Sequence, residues 1–237
     1  MDKDVVLEGM SSLLGVPVSR VPKRGRHGGR RPSRPVLPVQ KFMSSMIDRS
    51  SLAGELHIDE EEFFDSKYDY DFRDLTDTTA CVRGNEPYKR PAGWYRVALR
   101  VRWKYPDGNT WLGPEGWRSR SAWGEWPVSF HGTSIDGAKG IIQEGYRAGD
   151  GNYGRGVYST PDIEMAEDYA AIFTSKKTGQ TYKVVVLQNR VNRRYREICE
   201  RPDYWLVPVP EGTSPEEERD IVGRAIRPYG LLFKEVQ

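Results

Sequence analysis

Cysteine is scarce in this chain: Cys81 and Cys199 are the only two among 237 residues. Neither stands at metal-ligand spacing, and two thiols this far apart do not make the disulfide framework of a small secreted domain, so both read as reduced intracellular thiols. Histidine is nearly as rare, with three residues, His27, His57 and His131. The first two lie in polar extensions without Cys or acidic partners, so no metal site is expected. Long apolar runs are missing as well. No stretch approaches membrane-spanning length, the start lacks the basic-then-apolar order of a signal peptide, and Met1 is not followed by the glycine that myristoylation requires. The expectation is therefore an intracellular chain, cytoplasmic or nuclear, with no membrane partner. Net charge is also nearly absent. The 36 Lys and Arg almost balance 34 Asp and Glu, so only the distribution of charge points to partners.

What is present fits one domain of ordinary size with extensions. Aromatic residues make up 11% of the chain, seven of them Trp, enough large apolar surface for a core. Residues 1–50 read as a largely disordered basic region. Val5, Val6, Leu7, Leu13 and Leu14 suit one short amphipathic helix, stopped by Gly15 and Pro17, that can dock on the domain or a partner. After it, Arg20, Lys23, Arg24, Arg26, Arg30, Arg31 and Arg34 occur with no acid among them, amid Gly and Pro that cannot build a core. Arg24, Arg26, Arg30 and Arg31 are the candidate contacts to nucleic acid, against the plainer reading of a solvated tail. Residues 51–82 read as an acidic, aromatic linker or docking segment. Phe63, Phe64, Tyr68, Tyr70 and Phe72 are interleaved with acids from Asp59 to Asp77. The simplest arrangement packs the rings on the domain and turns the acids to water; masking of the arginine tract is the alternative.

From residue 83 to 237 the pattern is that of a folded domain. Tyr95, Val97, Leu99, Val101, Trp103 and Tyr105 alternate with Arg96, Arg100, Arg102 and Lys104, which predicts a strand over 94–105 with one apolar and one solvated basic face. Pro106 to Asn109 reads as a turn and Thr110 to Leu112 as the returning strand of a hairpin. Trp111, Trp117, Trp123 and Trp126 follow without periodicity, which suits a loop anchored by indoles. Tyr182 to Leu187 predicts a buried interior strand, with Gln188, Asn189 and Arg190 leaving it toward the surface. Tyr204 to Val207 is a further short strand, Glu216 to Glu218 a charged segment, and Tyr229 to Val236 the strand that closes the sheet.

The chemistry-bearing stretch runs from Trp126 to Tyr169. A short strand over Val128 to Phe130 leads to His131-Gly132, and Thr133 or Ser134 can cap a helix carrying Ile135, Ala138, Ile141 and Ile142. Glycines then crowd a loop at Gly149, Gly151, Gly154 and Gly156 before a strand holding Tyr158. Thr160-Pro161-Asp162 reads as cap, first helical residue and dipole-compatible acid of a second helix bearing Tyr169. Gly149 to Gly154 satisfies G-x-G-x-x-G, but the motif needs a strand before it and a helix after it. Here the order is the reverse, which argues against a Rossmann site.

His131-Gly132-Thr133, the turn Gly154-Arg155-Gly156-Val157-Tyr158, and Tyr169 eleven positions on together resemble the diphtheria-toxin-like ADP-ribosyltransferases, most of all poly(ADP-ribose) polymerase catalytic domains. The chain also looks like a group of eukaryotic proteins sharing Y-K-R-P-x-G-W and R-P-Y-G segments, which stand here at Tyr88 to Trp94 and Arg227 to Gly230. The resemblance covers about residues 83 to 236. It implies an α+β fold of split, mostly antiparallel β-sheets with flanking helices, and NAD as co-substrate in the cleft between them. It further implies catalytic roles for His131 and Tyr158 and an NAD site formed by His131, Gly132, Thr133, Tyr158 and Tyr169. Tyr158 and Tyr169 would sandwich the nicotinamide, Gly132 would offer its backbone to the carboxamide, and His131 would bond the adenosine-side ribose. Breaking the nicotinamide bond develops an oxocarbenium-like ribose, so such a site must grip the leaving ring and stabilise charge.

Two positions depart from the pattern. The glutamate that serves polymerising members would fall near Pro228, where there is no carboxylate, and Glu235 is too far along the strand to replace it. Ala166 stands where a serine often bonds the carboxamide. Polymer elongation is therefore not expected. Mono-ADP-ribosyl transfer to a protein or nucleic acid is the leading expectation. The rivals are a catalytically silent NAD-binding module and a nucleic-acid-binding regulator acting through the basic tail.

Overall fold

The structure, a computed structural model, describes residues 1–21, 56–76, 81–113, 121–132 and 148–236. It begins with a helix, α1 (Lys3–Leu14), capped by the Asp2 side chain on Asp4 N–H and ended by Gly15, whose φ of 70° lets its N–H reach Ser11 O. Two short strands, β1 (Val18–Arg20) and β2 (Leu56–Ile58), pair in parallel. One helical turn, α2 (Glu60–Phe63), and a 3-10 turn at Ser66–Tyr68 lead to β3 (Tyr70–Asp71). A hairpin of β4 (Cys81–Arg83) and β5 (Glu86–Tyr88) precedes β6 (Tyr95–Ala98). The rest comprises β7 (Val128–His131), β8 (Gly156–Ser159), α3 (Ile163–Glu167), β9 (Ala171–Thr174), β10 (Thr181–Val191), β11 (Glu197–Ile198), β12 (Trp205–Pro208), α4 (Pro215–Ala225) and β13 (Ile226–Glu235).

These elements give a mixed α+β fold. The larger sheet runs β3-β6-β13-β10-β7, with β9 also on β10, and every pairing in it is antiparallel. A smaller antiparallel sheet runs β11-β12-β8. Among the described residues a bridge joins the two: Phe130 and Thr160 exchange both backbone hydrogen bonds, at 2.7 and 2.9 Å. β10 is the interior strand expected from its apolar run, and Val184, Leu187 and Val191 on it are buried.

Residues 1–21 belong to the fold rather than to a tail. Val5, Val6, Leu7, Met10 and Leu13 of α1 are buried, and four of them join Ile58, Phe63 and Phe64 in one core with Val184, Leu187 and Phe233. Gly9 makes this docking possible, because a Cβ there would sit 2.5 Å from the Phe233 ring. The core thus crosses the boundary expected at residue 83. In the acidic segment the rings do pack inward: Phe63, Phe64 and Phe72 are buried while Glu61, Glu62 and Asp71 are exposed. Arg24, Arg26, Arg30 and Arg31 lie outside the described residues. Among the described residues, no helix is long and apolar enough to cross a membrane.

Several expectations fail for identifiable reasons. The strand over 94–105 stops at Ala98: Leu99 N–H still donates to Tyr229 O of β13 at 3.0 Å, but Leu99 already bridges to Phe64. The chain then follows Phe63 and Phe64, where Arg100 N–H donates to Phe63 O at 2.9 Å, and turns. Trp103 is exposed at a φ of 60°, and Thr110–Leu112 is a 3-10 turn, so there is no hairpin. Nor is the basic face uniformly solvated, for Arg96 points into the protein against Tyr70, Phe72 and Tyr229. Gln188, Asn189 and Arg190 stay buried within β10 because each finds partners. Gln188 Nε2 donates to Tyr88 Oη at 2.9 Å, Asn189 Nδ2 to Leu187 O at 3.2 Å, and Arg190 to Glu125 at 2.8 Å and to Trp126 O and Leu112 O. That arginine also ties down the indole segment, where Trp111 is buried against Trp126 while Trp123 is exposed. The segment at Glu216 is the first turn of α4, and β13 starts at Ile226 and lies between β6 and β10.

Candidate functional site

The site forms where the bridge between the two sheets ends. β7 is fixed on β10 by the register Val128 to Arg190 and His131 to Leu187, and its Val128, Ser129 and Phe130 are buried. The bridge from Phe130 to Thr160 lays the end of β8 beside it, so the His131 ring reaches Tyr158 O with Nδ1 at 2.7 Å. A carbonyl only accepts, so Nδ1 carries the proton. Burial holds the imidazole pKa below its ordinary value, partly offset by the bond to Tyr158. The ring is thus neutral near pH 7, and its Nε2 has acceptor character.

Tyr158 is held by the glycine loop that leads into β8. Gly149 and Gly156 exchange both backbone hydrogen bonds, closing the neck of residues 149–156. Gly151 lies on the Tyr158 ring, where a Cβ would come within 2.7 Å of Cε2, Cζ and Oη. The hydroxyl donates to Gly154 O at 2.6 Å and accepts from Tyr153 N–H at 3.1 Å. Burial raises its pKa, opposed by the bond from Tyr153. This hydroxyl is committed to the loop, which suits Tyr158 as a ring platform better than as a proton donor.

The loop is clamped from outside by α4, whose capping box at Ser214 and Glu217 fixes its start. Glu218, buried one residue later, accepts from Ala148 N–H at 2.7 Å and from the Arg155 guanidinium. Arg155 also donates to Val209 O and Pro210 O. Both ends of the loop are thereby tied to one carboxylate.

On the other wall stands α3. Its N-cap is Asp162, which accepts from Glu164 N–H, so Thr160 and Pro161 precede the helix rather than open it. Tyr169 lies in the turn after α3, not on it, and is about half exposed. Glu167 anchors this end: burial raises its carboxyl pKa, but hydrogen bonds from Lys183 and Lys234 outweigh that and hold it below the ordinary value. Gly132 is required by this packing. A Cβ on it would lie 2.3 Å from Ala166 O and 2.8 Å from Tyr169 Cβ, so only glycine lets β7 run under the helix end.

Between these walls is a cavity of about 410 Å³ lined by His131, Gly132, Tyr158 and Tyr169, four of the residues expected there from the resemblance, together with Ala166. Thr133 and the helix expected over 135–145 lie outside the described residues. Tyr153, Tyr204 and Arg201 also line the cavity and carry no sequence signal of their own. Tyr153 and Tyr204 stand with centroids 5.9 Å apart, and Arg201 lies over the Tyr204 ring while pairing with Asp203. Among the described residues no carboxylate lines the cavity. Pro228 pairs with Asn189 inside the sheet, and Glu235 pairs with Tyr182, at the end of β10 remote from Leu187.

The arrangement can hold a flat ring against phenol faces, offer a neutral imidazole to a hydroxyl, and present backbone at a glycine. It supplies no described acid or base of its own beyond His131. No protein-family model matches the chain, and comparison with curated proteins gives no match.

Proposed function

We propose that this cavity binds NAD and that the chain is an ADP-ribosyltransferase-like protein that transfers a single ADP-ribose to a protein or nucleic acid. The observation that carries the reading is convergence: His131, Gly132, Tyr158 and Tyr169, which the family resemblance assigns to an NAD site, line one cavity between the two sheets. Its volume of about 410 Å³ falls within the usual range for small-molecule sites. Nicotinamide between the Tyr158 and Tyr169 rings is gripped through two faces, and stacking of this kind contributes about 1–3 kcal/mol per ring. A neutral His131, with its Nδ1 on Tyr158 O, accepts a hydrogen bond from a hydroxyl of the adenosine-side ribose.

Deprotonation of the acceptor is the step for which the described lining has no carboxylate. It therefore falls to a group on the acceptor itself, which fits single transfer and not elongation. The same observation favours a second reading, in which the cavity binds NAD without transferring it. Incubation with NAD labelled on its adenosine phosphate, with protein and RNA acceptors present, separates the two. Covalent label lost in Tyr158→Ala supports transfer, and saturable binding without label supports the silent module. Neither signal at millimolar NAD refutes both.

A further inference from the structure

Stacking at Tyr158 and Tyr169 and a hydrogen bond at His131 leave one part of NAD without a partner. The two nucleosides are joined by a diphosphate that is anionic on both phosphates, and enclosing such charge without a counter-charge is costly. Among the described residues that line the cavity, Arg201 carries the one permanent positive charge. His131, the other basic side chain there, is neutral near pH 7 because it is buried.

Arg201 is set at the cavity by the turn between β11 and β12. Tyr204 N–H donates to Arg201 O and Cys199 N–H to Tyr204 O, both at 3.0 Å, which closes residues 199–204. β12 then pairs with β8 in the register Leu206 to Tyr158, so the turn hangs from the neighbour of the strand that carries the ring platform. The guanidinium lies 5.0 Å from the Tyr204 ring centroid, and Tyr204 stands beside Tyr153 of the glycine loop. An arginine laid on an aromatic face keeps its planar N–H edge for oxygen ligands.

Its present oxygen ligand is Asp203, which accepts from Nη2 at 2.7 Å and from Nε at 3.4 Å. Arg201 lines the cavity and Asp203 does not. The pair is open to water, with side-chain exposures of 59% and 30%, and an ion pair of that kind holds its partners weakly. Phosphate offers the same two-pronged acceptor geometry as a carboxylate. An anion arriving from the cavity side therefore displaces Asp203 at little cost.

We propose that Arg201 binds the diphosphate of NAD, exchanging Asp203 for phosphate oxygens as the dinucleotide enters. This assignment rests on the reading of the cavity as an NAD site.

The test is calorimetric titration of the full chain with NAD, ADP-ribose and nicotinamide riboside. ADP-ribose keeps the diphosphate without nicotinamide, and the riboside keeps nicotinamide without phosphate. Arg201→Gln should weaken NAD and ADP-ribose by about ten-fold or more and leave the riboside unchanged. Asp203→Asn removes the competing carboxylate and should tighten NAD and ADP-ribose by about two- to five-fold. Tyr158→Ala should weaken NAD and the riboside but not ADP-ribose. Both members of the ion pair are at the surface, so neither change threatens the fold. NAD and ADP-ribose affinities unchanged in Arg201→Gln, or riboside affinity lost along with them, would overturn the assignment of Arg201; NAD still weakened by Tyr158→Ala would then leave the NAD reading standing. Saturation by none of the three at millimolar concentration would overturn the NAD reading and this assignment with it.

Discussion

Tyr158 distinguishes a platform from a proton donor, and two substitutions at one position separate the roles. Tyr158→Phe keeps the ring and deletes a hydroxyl that bonds only the glycine loop, at Gly154 O and Tyr153 N–H. Each lost bond costs about 0.5–1.5 kcal/mol, and because the position is only partly buried, water takes over some of the bonding. The loss of stability should be about 1–2 kcal/mol, a fall in Tm of about 3–6 °C at this chain length. NAD affinity should drop by less than about ten-fold, since the face offered to the ring remains. Tyr158→Ala removes the stacking surface itself, about 1–3 kcal/mol, or about 5- to 150-fold in Kd. Titration of NAD against wild type, Tyr158→Phe and Tyr158→Ala, with thermal melts alongside, gives both quantities. Equal loss of NAD affinity in the two variants would refute the platform argument and return the hydroxyl to the chemistry.

Gly132→Ala should be among the most damaging small changes, because the new Cβ meets the backbone oxygen of Ala166 at 2.3 Å; a destabilisation of about 1–3 kcal/mol with loss of NAD binding is expected by melt and titration, and a wild-type Tm would contradict the packing described. Glu125→Gln removes the carboxylate that faces buried Arg190 at 2.8 Å, so chemical denaturation should show a loss of about 3–5 kcal/mol. His131 sets the pH dependence. Its folded pKa is depressed, so the unfolded chain binds the extra proton first, and its contribution to stability is complete above about pH 6.5 and lost as pH falls through the folded value. NAD affinity should be flat from pH 8 to 6.5 and decline below that, measured by titration, with the acid limb absent in His131→Asn.

Much of the site was legible because it rests on short-range rules. A strand ending in His131-Gly132, a glycine loop and a strand bearing Tyr158 are local patterns, and the structure brings them to one cavity. The start of α4 was missed although its signal is local: Ser214, Pro215 and Glu217 form a capping box with proline at the first helical position, hidden behind the acidic run that reads only as a charged segment. Other features depend on distant partners. Gln188 and Arg190 look like surface residues until Tyr88 and Glu125, far off in sequence, are placed beside them. Alternation from Tyr95 to Tyr105 suggested a long strand, but strand length is set by available partners, and past Leu99 the chain leaves β13 for Phe63 and Phe64. Docking of α1 likewise depends on Gly9 meeting Phe233, a contact that no local pattern announces.

The central claim concerns where NAD sits, and a crystal structure of the full chain grown with NAD tests it most directly. Nicotinamide is predicted between the rings of Tyr158 and Tyr169, its carboxamide at the Gly132 backbone and a ribose hydroxyl within hydrogen-bond reach of His131. NAD found elsewhere on the molecule, or that cavity empty at saturating NAD, would contradict it.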